Sequence, residues 1–131
     1  MDRKRTVDPG WSYHRHFGYS QAVRAGGLLF LAGQMPVDVE GNVVAAGDIR
    51  GQARQTFENV KAVLAAAGAG LEDIVDMTTY HIDMADLGAV MEVKGEYLTG
   101  DDLPAWTAVG VPALALPGQL IEIKVVALAP A

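Results

Sequence analysis

Glu122 sits in the run Leu120-Ile-Glu-Ile-Lys-Val-Val-Ala127, a carboxylate among aliphatic side chains. Taking a carboxylate out of water is costly unless it is paired, protonated or wet. Two roles remain open: half of a structural ion pair, or a general acid or base set in apolar surroundings. Tyr19 offers a phenol that can hydrogen-bond a ligand or a water, or can simply pack half-buried at the start of a strand. Trp106 carries a single N–H donor and no charge, so it can stack on a ligand or fill a core but cannot grip an anion. His14-Arg-His16 together with His81 has the residue types of a metal cluster. His-x-His alone lacks the supporting ligand pattern, so no metal is expected. No Gly-x-Ser-x-Gly elbow, phosphate-binding loop or dinucleotide fingerprint occurs, which leaves serine hydrolase, NTPase and dehydrogenase chemistry without support. With no cysteine there is no thiolate nucleophile, disulfide or cysteine-based metal site.

These side chains need elements to hold them. Tyr19 to Arg24 and Leu28 to Gly33 read as two strands joined by a tight turn at Gly26-Gly27. Pro36 and Glu40-Gly-Asn then break the pattern. Asp48 is placed to cap a long helix whose apolar stripe is Ala53, Phe57, Val60, Leu64 and Ala67, with Arg54, Glu58 and Lys61 facing away. Gly68 and Gly70 end it. Ile74 to Asp83 alternates at period two and is rich in β-formers, which predicts a strand. Asp86 can cap a second helix with Leu87, Val90, Met91 and Leu98 as its buried stripe. Thr99 to Pro104 closes that helix, and strands follow over Trp106 to Val111 and Gln119 to Leu128.

The order β-β-α-β-α-β-β predicts an α+β architecture, a mixed sheet with two helices packed on one face. The last strand adds a constraint. Ile121, Ile123, Val125 and Ala127 make one apolar face, yet Leu120, Val126 and Leu128 on the other are apolar too. A strand apolar on both faces is usually buried on both, so other subunits are expected against the open face.

The chain of 131 residues is expected to form one domain, 1–131, with 1–16 as an N-terminal arm. Arg3, Lys4 and Arg5 read as a flexible, solvated start to that arm. Half the residues are hydrophobic and a fifth charged, as in soluble globular proteins. No apolar run reaches membrane-spanning length and the basic start has no apolar stretch behind it, so no membrane association and a cytoplasmic location are expected. The net charge of −6 argues against a general nucleic-acid binder.

Several linked motifs then carry a resemblance across Tyr19 to Ala127: Tyr19-Ser-Gln-Ala-Val, Ala32-Gly-Gln-Met-Pro, Gln52-Ala-Arg-Gln-Thr-Phe-Glu-Asn-Val-Lys, Asp73-Ile-Val and Thr78-Thr-Tyr. Pro104, Val109, Leu116-Pro117, Ile121-Glu122-Ile123 and Ala127 complete a C-terminal signature. In order and spacing these resemble the Rid family, the reactive intermediate deaminases also called YjgF. The resemblance implies a chorismate-mutase-like fold, a homotrimer, and small-molecule clefts between neighbouring subunits. It implies that Glu122 positions the water attacking an imine carbon and that Tyr19, Ala32, Gly33, Met91 and Trp106 stand at substrate-binding positions.

The departures from the family pattern narrow the chemistry. Trp106 stands where the family has an arginine that grips the carboxylate of a 2-imino acid with two parallel hydrogen bonds. Ala32 replaces a frequent serine and Met91 a frequent asparagine, so the implied cleft is more apolar. Arg15 and His16, just before Tyr19, are the candidate accessory cations. The expectation is a cofactor-free enamine or imine deaminase that is not a standard 2-iminopropanoate deaminase. The alternative is a non-catalytic trimer of the same fold that binds a small molecule or a protein; a ribonuclease or translation inhibitor ranks third.

Overall fold

A computed structural model of the chain describes residues 3–131. Its longest element forms where the apolar period is clearest. Helix α2, Ile49–Ala66, starts at Asp48, whose side chain accepts from the Gly51 amide at 3.0 Å, and it buries Ala53, Phe57, Val60 and Leu64. Strands β2 (Ala22–Ala25) and β3 (Leu28–Leu31) form the expected hairpin, with Gly26 in the left-handed region at φ 60° where a side chain is disfavoured. Then come β4 (Ile74–His81), α3 (Leu87–Tyr97), β5 (Ala105–Gly110) and β6 (Ile121–Leu128).

Two further elements precede these. Strand β1, Arg5–Val7, pairs antiparallel with β2, and helix α1 spans Tyr13–Phe17. The arm is therefore built into the fold from Arg5 onward, which corrects the reading of Arg5 as flexible. A three-residue strand has too little pattern to be seen, because its order comes from pairing with β2. Tyr19 also lies ahead of its expected strand, which begins only at Ala22: Gly18, at φ 81°, ends α1 and turns the chain.

The sheet runs β1-β2-β3-β6-β4-β5, antiparallel throughout except for the parallel pair β4/β5. β6 lies at its centre. Leu29, Leu31, Met77, Ile121, Ile123, Val125 and Ala127 are buried in one cluster with Phe57, Val60, Val90 and Val93 of the helices. The α+β fold, a mixed sheet with its helices on one face, is thus the one expected. Phe57 and Tyr97 stack at 5.0 Å, tying α2 to α3.

Two details of α3 differ from expectation. Asp83, and not Asp86, makes the capping hydrogen bond, accepting from Ala85 N at 2.9 Å in a 3-10 turn over Met84–Asp86. Met91 is 50% exposed and Val93 takes its place in the buried stripe. Val90 and Val93 are three apart and share the face toward α2, while Met91 is rotated about 100° from Val90. The strand predicted to reach Asp83 ends at His81, where Asp83 begins the turn. Among the described residues no helix is long and apolar enough to cross a membrane.

Candidate functional site

Strand alternation sends Ile121 and Ile123 under the helices and Glu122 and Lys124 to the opposite face. Glu122 lies opposite Tyr80 of β4 and Lys124 opposite Thr78. On that same open face, Phe30 is 41% exposed and Leu128 is 51% exposed.

Glu122 borders a cleft of about 410 Å³ lined by Phe17, Tyr19, Ala32, Gly33, Met35, Ala115, Leu116 and Glu122 itself. Its surroundings come from four separate segments. Gly33 follows β3 and comes so close to the carboxylate that a Cβ there would lie 2.2 Å from Glu122 Oε2; only glycine leaves that oxygen its place. Met35 is held because buried Asn59 of α2 donates to the carbonyls of Met35 and Val37, both at 2.9 Å. The segment bearing Leu116 is pinned through buried Gln52 of α2, which donates to Gly118 O at 2.9 Å and accepts from Leu120 N at 2.8 Å. Gln119 within it donates to Glu122 Oε1 at 3.2 Å.

Burial raises the Tyr19 phenol above its ordinary pKa, with a hydrogen bond from Gln21 opposing and the Glu122 charge adding to the rise. Tyr19 is thus a neutral O–H near neutral pH, able both to donate and to accept. Lys124 is shifted down by burial, the Glu122 charge opposing, and its ammonium donates to the Leu31 carbonyl. That bond turns it toward the backbone of β3. Among the residues lining the cleft none is cationic.

The sequence-derived candidates divide. Tyr19, Ala32, Gly33 and Glu122 come together. Arg15 and His16 do not line the cleft: Arg15 pairs with Asp8 on the surface, and exposed His16 sits edge-on to Phe17 at 5.6 Å. Phe17, one residue on, reaches the cleft instead. Met91 and Trp106 are elsewhere within the chain. Trp106 lies opposite buried Met77 in the β4/β5 register, so it points to the helix side. Its indole donates to Thr79 Oγ1 at 2.9 Å, and the Lys94 ammonium stands 5.0 Å over its ring. His81, expected half exposed, is fully buried beside Thr79 at 2.7 Å because it shares that helix-facing side of β4. Among the described residues no three potential ligands gather into a metal site.

The cleft also contains residues that sequence reasoning missed. Phe17 and Ala115 belong to no motif, and Met35, although inside Ala32-Gly-Gln-Met-Pro, has no chemistry that singles it out. Gln119 reads as the first residue of the last strand, which begins only at Ile121, and only the fold reveals that its amide reaches Glu122.

The arrangement can hold a small apolar ligand against a carboxylate and a phenol. The family model described as Endoribonuclease L-PSP matches residues 14–129. A RutC family protein of Pyrococcus horikoshii is 46% identical over 109 residues, 83% of this chain and 85% of that protein. A protein of Dermatophagoides farinae named 2-iminobutanoate/2-iminopropanoate deaminase is 38% identical over 96 residues, 73% of this chain and 74% of its own. The crystal structure of YyfA from Yersinia pestis, described as of the conserved Rid protein family, superposes with a TM-score of 0.87 at 32% identity, covering 97% of this chain and 100% of that one.

Proposed function

This chain belongs to the Rid family, and on that footing we propose that it hydrolyses an imine or enamine to a carbonyl compound and ammonia in the Glu122 cleft. The observation that carries the proposal is the placing of a lone carboxylate, Glu122, in an otherwise apolar cleft with a neutral phenol as its polar neighbour. In the proposed reaction a water held by Glu122 attacks the imine carbon. The carboxylate takes one water proton as the C–O bond forms and passes it to nitrogen, giving a carbinolamine; it then carries the hydroxyl proton to nitrogen as the C–N bond breaks, leaving the carbonyl compound and ammonia. Tyr19 contacts the ligand and helps orient it. No step calls for a cofactor.

The lining also bears on the substrate. A charged two-pronged clamp contributes a few kcal/mol, orders of magnitude in binding. Trp106 supplies none, and Arg15 and His16 lie outside the cleft. The substrate is therefore proposed to be an imine with an aromatic, amide-bearing or larger apolar body, and free 2-iminopropanoate a poor one. The exposed apolar residues of the open sheet face, Phe30 and Leu128 with Val126, support a homotrimer in which neighbouring copies close this cleft. The same apolar lining would suit a trimer that binds without turnover.

The two are separated by offering purified protein 2-iminopropanoate and a bulky aromatic 2-imino compound, each generated in place, and following ammonia. Faster release than the spontaneous rate, at least about tenfold greater for the aromatic compound, is expected. Binding with no acceleration of either selects the non-catalytic reading. Preference for 2-iminopropanoate overturns the inference drawn from Trp106.

A further inference from the structure

We infer that Gln119 is a positioning residue for Glu122: it anchors Oε1 of the carboxylate and leaves Oε2, over Gly33, as the oxygen that handles the attacking water. What that oxygen does rests on the deaminase reading; which oxygen it is rests on geometry alone.

Gln119 is 3% exposed, and every polar atom of its amide is engaged. Nε2 donates to Ile121 O at 3.1 Å and to Glu122 Oε1 at 3.2 Å, while Oε1 accepts from Leu116 N at 3.2 Å. A primary amide has two N–H donors, and both are used here. Turning the amide over would set its oxygen against two acceptors and its NH₂ against the Leu116 N–H, so the neighbours dictate its orientation.

A consequence follows for the carboxyl group. Oε1 of Glu122 must stay an acceptor toward Gln119, so a proton taken from water goes to Oε2. The vacancy that a Cβ would fill at Gly33 is where Oε2 lies, 2.2 Å from that point. The two oxygens are thus assigned different work: one is tethered to the protein, the other open to the cleft.

The tether reaches further back. Gln52 of α2 grips Gly118 O and Leu120 N on either side of Gln119, and Gln119 in turn holds the Leu116 amide. Leu116 is part of the apolar wall of the cleft. One side chain therefore fixes both the carboxylate and the wall facing the substrate, and sets the spacing between them. Without it the carboxylate turns freely and offers either oxygen. Misplacement of a reacting group by about 1 Å costs on the order of 100-fold in rate.

The test has two independent arms. In ¹⁵N-labelled protein the Gln119 side-chain amide protons should exchange slowly, and one of the two should move when Glu122→Ala removes its acceptor. In ammonia release, Gln119→Met, of similar volume but with no donor, should lower kcat about 10- to 100-fold with KM changed less than about threefold. Amide resonances unmoved by Glu122→Ala overturn the inference. So does a Gln119→Met protein with wild-type kcat when Glu122→Ala has abolished turnover. If Glu122→Ala leaves ammonia release intact, or the wild type releases none, the deaminase reading fails instead, and the amide spectrum still decides whether Gln119 holds Oε1. If Gln119→Met does not fold, the same spectrum carries the decision.

Discussion

His81 lies fully buried on the helix-facing side of β4, its Nε2 bonded to Thr79 while Nδ1 has no partner among the described residues. Burial lowers its pKa from 6.5, the Asp86 charge opposing. As pH falls below that value the unfolded chain takes up the proton while the folded chain stays neutral at His81. The associated stability is full above 6.5 and is lost as pH falls toward the lowered value in the fold. Wild-type protein should therefore lose more melting temperature than His81→Gln between about pH 7.5 and about pH 5.5. Parallel losses in the two proteins would show that His81 does not titrate this way. At this scale Glu122 was legible because a carboxylate among aliphatics is costly wherever it lies, and Tyr19 was legible from its motif. The face of Trp106 was not. Trp106-Thr-Ala-Val-Gly-Val has no clean alternation, and only the register with Met77 turns the indole toward the helices.

α2 could be read from sequence almost residue by residue, since Asp48 caps it and the 3.6-residue period is unbroken. α3 was legible as a helix but misphased at Met91, because an aliphatic residue beside Val90 fits an apolar stripe on either side. α1 and β1 were illegible: five and three residues carry no period, and tertiary pairing holds them. What no periodicity discloses is that polar residues on the buried face of α2 build the cleft. Asn59 holds two carbonyls of the segment carrying Met35, and Gln52 holds the loop carrying Gln119. Asn59→Ala takes the side-chain donor from both carbonyls, of which Met35 O keeps the Val37 amide at 2.9 Å, and should destabilise the protein by about 1 to 3 kcal/mol, read by urea denaturation. A change below about 0.5 kcal/mol would mean that water replaces the side chain without cost.

For the whole molecule, the doubly apolar β6 predicts a sheet covered on both faces, and the sheet keeps one face without helices. Phe30, at 41% exposure, pairs with Val126 there, and Leu28 pairs with Leu128. The proposed homotrimer would cover these side chains. Light scattering on the wild type should give three times the 13.8 kDa chain mass. Phe30→Glu should shift it toward monomer by setting an unpaired charge in the interface. A monomeric wild type at micromolar concentration would contradict this assembly. The function proposed for that assembly turns on one carboxylate, so its most direct test is ammonia release from a bulky aromatic imine by wild type and Glu122→Gln, an exchange that preserves shape and removes the base. The variant should keep its fold and oligomeric state and fall by about 100-fold or more in kcat. A folded Glu122→Gln protein that releases ammonia at the wild-type rate would contradict the account.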